Sequence, residues 1–301
     1  MIDDKQKQKN IFRITGGLGN QMCQYAFMYQ RSRKKGVDMK LDITSYKIAR
    51  LMGYVNHHGY ELDRIFGIKE RASIGEIIKV GGLQYYLQVL ARKLGLIPKV
   101  VGGSKVCVEN NPRDSHKYIS SYQSNNCRYF QGFFEHYKYY YEYKDELGKI
   151  FTFPNYQDER NIQLSQEIEV SNSVGIHLRR NDKGEFFHNG DAGGLDYYKH
   201  AIEWIRRHTD NPTLYIFSND PDWCKKILEI KDAHYISHNQ GDDAFRDMQL
   251  LSECKHLIVA NSTFSFWAGL LKMQKAGYII CPKIWNKTRD GHPAPKEWVR
   301  I

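Results

Sequence analysis

The sequence lacks the features that mark several classes of protein. Its six cysteines form no CxxC pair and no zinc-type spacing, which argues against a disulfide framework and a zinc site. Residues 1–10 are polar and charged, and no run approaches the roughly 20 apolar residues that a membrane span needs. No low-complexity segment or short repeat is present. We therefore expect a globular cytoplasmic protein with reduced thiols, several of them buried.

Acidic residues are the scarcer charged class. There are 44 Lys plus Arg against 34 Asp plus Glu, which gives a net charge of +10 in a chain of 301 residues. This excess suits an anionic partner, whether a nucleotide, a nucleic acid or an acidic membrane surface. The length fits one or two domains.

Short apolar strands alternate with amphipathic helices along most of the chain. Near the start, a strand at 11–15, a glycine turn, a helix at 21–35 and a strand at 37–43 form a β-loop-α-β unit. Later the alternation becomes regular, which predicts a parallel, doubly wound sheet. We expect an α/β fold with two Rossmann-like domains facing a cleft, one over 1–170 and one over 171–301. The later strands are predicted at 174–179, 213–218, 234–237, 257–260 and 277–282.

Two segments of the N-terminal half each allow two interpretations. Residues 83–96 form a basic amphipathic helix, which either packs on the protein's own core or lies on a membrane surface. The aromatic stretch 127–143 suits a buried core, although a wall of tyrosines also suits stacking against a sugar.

Four polar loops follow predicted strands. In open α/β sheets, ligands bind outside the carboxyl ends of the strands, so the agreement among these loops indicates a ligand site. The loops are GGLGN at 16–20, HLRRND at 177–182, SNDPD at 218–222 and NSTFS at 261–265.

The glycine turn has three interpretations. Gly17 and Gly19 fit the dinucleotide-binding pattern GxGxxG, but the third glycine position is Met22. With Asp42 as a ribose-binding acid, the pattern would indicate an NAD-dependent oxidoreductase. A tight turn that needs glycine is the second interpretation, and an anion site formed by backbone amides and Asn20 is the third.

Two other loops each allow a structural and a ligand-binding interpretation. Asn261 or Ser262 would cap a helix, or the same helix start with the Ser262 and Thr263 hydroxyls would hold a phosphate. Asp220 and Asp222 form the Asp-x-Asp arrangement of metal-dependent sugar-nucleotide enzymes. They fit a capped helix start better, so no metal is expected.

HLRRND carries the clearest ligand-binding signal. Strand alternation places Ile176 and Leu178 on one face of the sheet, and His177 and Arg179 on the other. A guanidinium is a permanently charged fork that matches phosphate oxygens, although an ion pair with Asp182 is the alternative. We predict that His177 and Arg179 point outward to hold a nucleotide diphosphate.

Several segments together resemble glycosyltransferase family 11, the α-1,2-fucosyltransferases. The resemblance spans nearly the whole chain in order, and HxRRxD is shared with α-1,6- and protein O-fucosyltransferases. This chain has HLRRNDK where many relatives have HIRRGDY, and Phe266 and Ala268 replace a tryptophan and a glycine. These departures concern the fit of the acceptor more than the reaction. The segments are GGLGNQMCQYAF, YFQGFFEHYKYY, HLRRND, LDYYKHAI, FSND, LLSECKHLIVANSTFSFWAGLL and CPKIW…EW.

The resemblance implies a GT-B-type fold and the transfer of L-fucose from GDP-L-fucose to the 2-hydroxyl of a terminal galactose, with inversion. It implies no metal and no cofactor besides the donor substrate. The implied partner is a galactose-terminated glycan and not nucleic acid. We expect a cytoplasmic location, with peripheral contact at the inner face of the membrane open for residues 83–96. A nucleic-acid-binding protein stays an alternative on charge and tyrosine content, although no RNA-binding signature is present.

The resemblance also assigns roles to residues of the site. Arg179 would hold the β-phosphate and Asp182 would act as the base, with Glu185 and His188 as alternative bases. The donor-binding residues are Gly17, Gly19, Asn20, His177, Arg180, Ser218, Asp220, Asn261, Ser262, Thr263 and Phe264.

Overall fold

The computed structural model describes residues 9–51, 53, 58–96, 105–109, 116–179, 194–272, 276–286 and 290–301. The chain folds into two compact units, Met1–Phe151 and Thr152–Ile301. We expected the division after residue 170. It falls earlier because the segment before residue 170 packs within the second unit, where Ser165 Oγ donates a hydrogen bond of 2.8 Å to Glu253 Oε2.

The first unit contains a four-stranded parallel sheet. Its strands are Lys9–Arg13 (β1), Asp38–Asp42 (β2), Val106–Val108 (β3) and Tyr129–Gln131 (β4), in the order β2-β1-β4-β3. Its described helices are Leu18–Lys35 (α1), Thr44–Leu51 (α2), Glu61–Phe66 (α3), Ile74–Gly81 (α4), Leu83–Lys93 (α5), Ser120–Ser124 (α6) and Lys144–Ile150 (α7). Short 3₁₀ turns occupy Tyr137–Tyr139 and Tyr141–Tyr143.

Aromatic side chains fill much of the core of the first unit. Phe12 on β1, Phe27 on α1 and Phe134 after β4 are fully buried. The rings of Phe27 and Phe134 stack with 4.1 Å between their centroids, and Tyr139 packs edge-on against Phe27. The aromatic stretch 127–143 therefore contributes largely to the core, which was the first of its two interpretations.

The second unit contains a six-stranded parallel sheet. Its strands are Ser173–Leu178 (β5), Thr213–Ser218 (β6), Ala233–Ile236 (β7), His256–Ile258 (β8), Ile279–Cys281 (β9) and Val299–Arg300 (β10). Its described helices are Glu159–Val170 (α8), Gly194–His208 (α9), Pro221–Leu228 (α10), Phe245–Glu253 (α11) and Thr263–Lys272 (α12), with a 3₁₀ turn at Gly241–Asp243.

The strand order β10-β9-β8-β5-β6-β7 reverses at β5. The chain adds β6 and β7 on one side of β5, and then returns to add β8, β9 and β10 on the other. Helices α9 and α10 cover one face of β5 through Val174, Ile176 and Leu178. On the other face, a Cβ at Gly175 would lie 2.9 Å from Leu251 Cδ2 of α11, so glycine allows this helix to approach the strand. The point between β5 and β8 is the topological switch point of the sheet.

The parallel α/β architecture confirms the predicted fold class. Strand β6 has the predicted bounds, whereas α1 begins at Leu18 and not at residue 21. It begins earlier because Gly17 is its N-cap, so three of the five residues of the predicted glycine turn are already helical. All six cysteines are free and five are buried. Within the described ranges, no helix is long and apolar enough to cross a membrane.

Candidate functional site

The switch point of the second sheet brings two of the predicted loops together. Strands β5 and β8 are hydrogen-bonded neighbours, with Ile176 opposite Ile258. The chain leaves β5 through Arg179 and leaves β8 through residues 259–262 at the same carboxyl edge. The ring of His177 lies 5.3 Å from the ring of Phe264, centroid to centroid, which joins the two loops directly.

His177 is buried, and this corrects the prediction that its side chain points outward. Only 5% of the residue is exposed, because α12 places Phe264 over the imidazole. Burial, and secondarily the charge of Arg179, lowers the pKa of His177 to about 3. The imidazole is therefore neutral at physiological pH. Its Nδ1 is buried and makes no hydrogen bond within the described part of the chain.

Arg179 is the last described residue of the HLRRND segment, and it is partly buried. Its guanidinium belongs to the residue that follows β5, at the edge where ligands of such sheets bind. The other charged residues predicted here lie outside the described residues. They are Arg180, Asp182, Glu185 and His188.

The loop after β8 combines a helix cap with a partly exposed helix start. Ser262 Oγ accepts a hydrogen bond of 3.3 Å from the amide of Phe264, so Ser262 caps α12 as the structural interpretation predicted. Thr263 is the first residue of α12 and is partly exposed. The Asn261 Nδ2 atom is buried and has no hydrogen-bond partner among the described residues. This amide and the buried His177 nitrogen are the polar atoms at the switch point that still need a partner.

Two adjacent tyrosines of α9 fasten the ends of the strands that form this edge. Tyr198 Oη donates to the His177 carbonyl at 3.0 Å, and Tyr197 Oη donates to the Val259 carbonyl at 2.8 Å. Both side chains are buried. The sequence pattern LDYYKHAI contained these residues, but strand and helix periodicity gave no sign that their hydroxyls reach the site.

The polar side chains of the loop after β6 form hydrogen bonds within the loop and with the start of α10. Asp220 caps α10 by accepting a hydrogen bond of 3.1 Å from the Trp223 amide, with Pro221 in the first turn. Ser218 Oγ accepts from the Asp220 amide at 3.1 Å. These contacts match the capping interpretation of the Asp-x-Asp pair. Over the described ranges, no three His, Cys, Asp or Glu side chains gather as a group that could hold a metal ion.

A polar cavity of 270 Å³ follows β7, and the sequence analysis did not single it out. His238 Nε2 lies 3.0 Å from Asn161 Oδ1, and Asn161 Nδ2 donates to Asn239 Oδ1 at 2.8 Å. Asn239 Nδ2 also donates to Asp247 Oδ1, and burial raises the pKa of Asp247 to about 7. The lining residues include Asp158, Arg160, Asp243 and Arg246. The signal was available, because the polar run SHNQGDD follows a predicted strand as the other loops do.

The glycine turn lies in the first unit, at the carboxyl end of β1. Gly16 has φ of +83°, and a Cβ there would lie 2.6 Å from Asn20 Nδ2. Gly17 is the N-cap of α1 without a side-chain cap, and Gly19 and Asn20 lie in the first turn of the helix. The turn therefore needs glycine, as the structural interpretation predicted, and a helix starts directly after it. Anion binding by this helix start stays a prediction.

The residues around this turn count against a dinucleotide site. Asp42 is 1% exposed and accepts hydrogen bonds from the Thr44 amide at 2.8 Å and from the Tyr129 hydroxyl. It therefore has a structural role and does not offer its carboxylate to a ribose. Gln21 instead shapes the turn, since its Nε2 donates to the Gly16 carbonyl at 3.0 Å.

Comparison with known sequences identifies the family. The sequence model of glycosyl transferase family 11 matches residues 110–301. The chain belongs to this family. The chain is therefore a glycosyltransferase of family 11. This confirms the family that the sequence motifs predicted.

Curated relatives agree with family 11 at modest identity. An α-1,2-colitosyltransferase of Escherichia coli is 28% identical over 97% of this chain and 98% of its own length. The O-antigen biosynthesis glycosyltransferase WbnK of Escherichia coli is 26% identical over 90% of this chain and 93% of its own. A galactoside α-(1,2)-fucosyltransferase 1 of Ateles belzebuth is 24% identical over 44% of this chain and 40% of its own.

Solved structures support the fold of this family 11 chain. The NodZ α-1,6-fucosyltransferase, in a crystal soaked with GDP-fucose, superposes with a TM-score of 0.53 at 12% identity over 88% of this chain and 93% of NodZ. A variant of Arabidopsis thaliana FUT1 in complex with GDP gives a TM-score of 0.51 at 13% identity over 95% of this chain and 73% of that one. The predicted GT-B-like α/β fold is confirmed.

The hydrogen bond from Tyr197 to the end of β8 can be tested by mutation. In Tyr197→Phe the buried Val259 carbonyl loses the hydroxyl that donates to it. We expect the free energy of unfolding to fall by about 1–2 kcal/mol in chemical denaturation. Tyr118→Phe, at a partly exposed tyrosine of the first unit, is the matched control. Equal stability of Tyr197→Phe and the parent would show that the hydroxyl does not fasten the strand.

Proposed function

We propose that the protein transfers L-fucose from GDP-L-fucose to the 2-hydroxyl of a terminal β-galactoside, with inversion at the anomeric carbon. The observation that carries the proposal is the switch point of the second sheet. There Arg179 and the start of α12 share the edge between β5 and β8. Family membership and the galactoside α-(1,2)-fucosyltransferase relative support the choice of reaction.

The proposed chemistry needs a positive group beside the leaving diphosphate. As the glycosidic bond breaks, the sugar gains oxocarbenium character and the β-phosphate gains negative charge. Arg179 would stabilise that charge as it develops, and the amides at the start of α12 would add a second anion site. A permanently charged guanidinium performs this role without a metal ion, so we propose that neither a metal nor another cofactor takes part.

We further propose that the nucleotide extends from β5 towards β7. Two strand spacings in a sheet separate these strands, which amounts to about 10 Å. The polar cavity after β7 offers carboxylates for the donor groups of a guanine, and His238 or Arg160 for its carbonyl. Asp220 caps α10 just after β6, the strand between them, and would then lie beside the ribose. In this arrangement the neutral, buried His177 supports the loop and carries no charge to the diphosphate.

One relative favours a second donor. The colitosyltransferase matches almost the whole chain. Colitose, the sugar in its name, is the 3-deoxy analogue of L-fucose. The two GDP-sugars share the nucleotide, so the groups at the switch point serve either donor. They differ at a single hydroxyl, and a site that hydrogen-bonds this hydroxyl would reject the analogue that lacks it.

The proposal is tested by ligand-dependent melting and by product analysis. We expect GDP and GDP-L-fucose to raise the melting temperature by several degrees at saturation, because they bind only the folded state. NAD should leave the melting temperature unchanged. With lactose as acceptor, GDP-L-fucose should give a trisaccharide whose new linkage is α-1,2 to galactose by NMR.

The possible failures have different meanings. Stabilisation by NAD alone would support the oxidoreductase alternative, and RNA binding that GDP does not compete would support a nucleic-acid-binding protein. Turnover of GDP-colitose with rejection of GDP-L-fucose would reassign the donor and leave the transfer reaction intact. Stabilisation by none of these nucleotides would overturn the proposal.

A further inference from the structure

The segment from the last turn of α4 to the start of β3 carries positive charge only. Between Glu76 and Glu109 the sequence has five basic residues and no acidic one. The basic residues are Lys79, Arg92, Lys93, Lys99 and Lys105. Lys79 and Arg92 are exposed. This part of the first unit therefore attracts anionic surfaces.

Two leucines of helix α5 and the leucine that caps its C-terminus are exposed to solvent. Leu83, Leu87 and Leu94 are 55%, 53% and 57% exposed. At about 100° per residue these three positions fall within about 40° of one another around the helix axis, so they form one stripe. A surface helix normally buries such a stripe in the core. More than half of each of these three residues is exposed, so the stripe is not buried in the way that the core-packing interpretation of residues 83–96 expects.

Helix α4 already makes the core contact in this region. Its Ile77 and Val80 are buried against Ile11 of β1 and Tyr129 of β4. Ile74 at the start of α4 and Leu96 just beyond α5 are more than half exposed, like the α5 stripe. We call these side chains the α4–α5 face; they are Ile74, Leu83, Leu87, Leu94 and Leu96.

We propose that the α4–α5 face lies on the surface of an anionic lipid bilayer. Its leucines would enter the interface, while the exposed side chains of Lys79 and Arg92 reach the headgroups. No described helix is both long and apolar enough to cross a membrane, and the contact that we propose is a peripheral one. A second copy of the chain fits less well, because two such faces would bring two sets of basic residues together. This proposal does not depend on the donor or on the acceptor.

Vesicle flotation of the full chain tests the proposal. We expect binding to vesicles of equal parts phosphatidylcholine and phosphatidylglycerol, and little binding to phosphatidylcholine alone. Because screening weakens the attraction, binding should fall when salt is raised to about 1 M. The triple variant Leu83→Gln, Leu87→Gln and Leu94→Gln should bind at least about tenfold more weakly.

A matched control removes three exposed apolar side chains elsewhere. Leu51→Gln, Val170→Gln and Ile284→Gln change residues that are 86%, 87% and 54% exposed and lie outside the α4–α5 face. This control should bind vesicles as the parent does, and all three proteins should melt alike.

Other outcomes would overturn the proposal. They are equal binding by the triple variant and the parent, equal binding to both kinds of vesicle, and no vesicle binding at all. Sedimentation velocity without lipid provides a further check. A parent dimer that the leucine substitutions convert to a monomer would assign the face to a second copy of the chain.

Discussion

Arg179→Ala is expected to lower kcat for fucosyl transfer by at least about 100-fold, with a melting temperature close to that of the parent. Removal of a single donor to a developing anion costs on the order of 100- to 1,000-fold in comparable sites. Arg179 follows β5 at the switch point, at the sheet edge that β5 shares with β8. Since the charge on the β-phosphate grows as the bond breaks, the loss should fall mainly on kcat and less on the donor KM.

The conservative variant separates charge from geometry. Arg179→Lys keeps the positive charge but loses the planar fork that bonds two phosphate oxygens together. We expect its rate to lie between those of the parent and Arg179→Ala. Arg207→Ala is the matched control, because Arg207 lies on α9 with its side chain exposed and paired with Glu203. It should retain the parent rate.

The measurement is the initial rate of GDP release with a galactoside acceptor, with GDP affinity measured separately. If Arg179→Ala turns over normally and still melts like the parent, Arg179 does not hold the leaving group. A loss of stability equal to the loss of activity would instead give Arg179 a structural role. Either result would leave the family assignment standing.

The strands of the second unit were predictable because their apolar runs are short and bounded by polar loops. β6 ends at Ser218 as predicted, and β5 begins and ends within one residue of its predicted bounds. The topology of parallel sheets then brings the carboxyl ends of neighbouring strands to one edge, so the loops after β5 and β8 could be grouped before any coordinates. The periodicity of the sequence was therefore sufficient to predict these strands and the loops that form the site.

The orientation of single side chains was not predictable in the same way. Alternation put His177 on the face opposite Ile176, which is correct, but both faces of a parallel strand are covered. The side chain of His177 therefore points towards Phe264 of α12, and not towards solvent. The same limit applies to α5, whose leucine stripe is clear in the sequence. Whether a core exists beneath such a stripe depends on α4, which already covers the sheet.

The burial of His177 predicts an acid-sensitive fold. Its pKa is lowered from 6.5 to about 3 by burial, and then by Arg179, so in the folded state the imidazole stays neutral down to low pH. In the unfolded chain the same group takes up a proton near pH 6.5. Between these values the unfolded state binds more protons, so stability is lost as the pH falls from about 6.5 towards about 3. From about pH 7.5 to about pH 5 this one group should cost about 2 kcal/mol.

His177→Gln removes the titrating group and keeps a neutral polar side chain in its place. We expect the free energy of unfolding of this variant to depend less on pH, by about 2 kcal/mol over the same interval, whatever its absolute stability. His200→Gln removes an exposed histidine of α9 and controls for the loss of one imidazole. The readout is urea denaturation at the two pH values, together with the histidine NMR signals of the parent. An imidazole of His177 that titrates near pH 6.5 in the folded protein, or equal pH dependence in the parent and His177→Gln, would mean that the ring is open to water. The switch point would then carry a second positive charge beside Arg179 at mildly acidic pH.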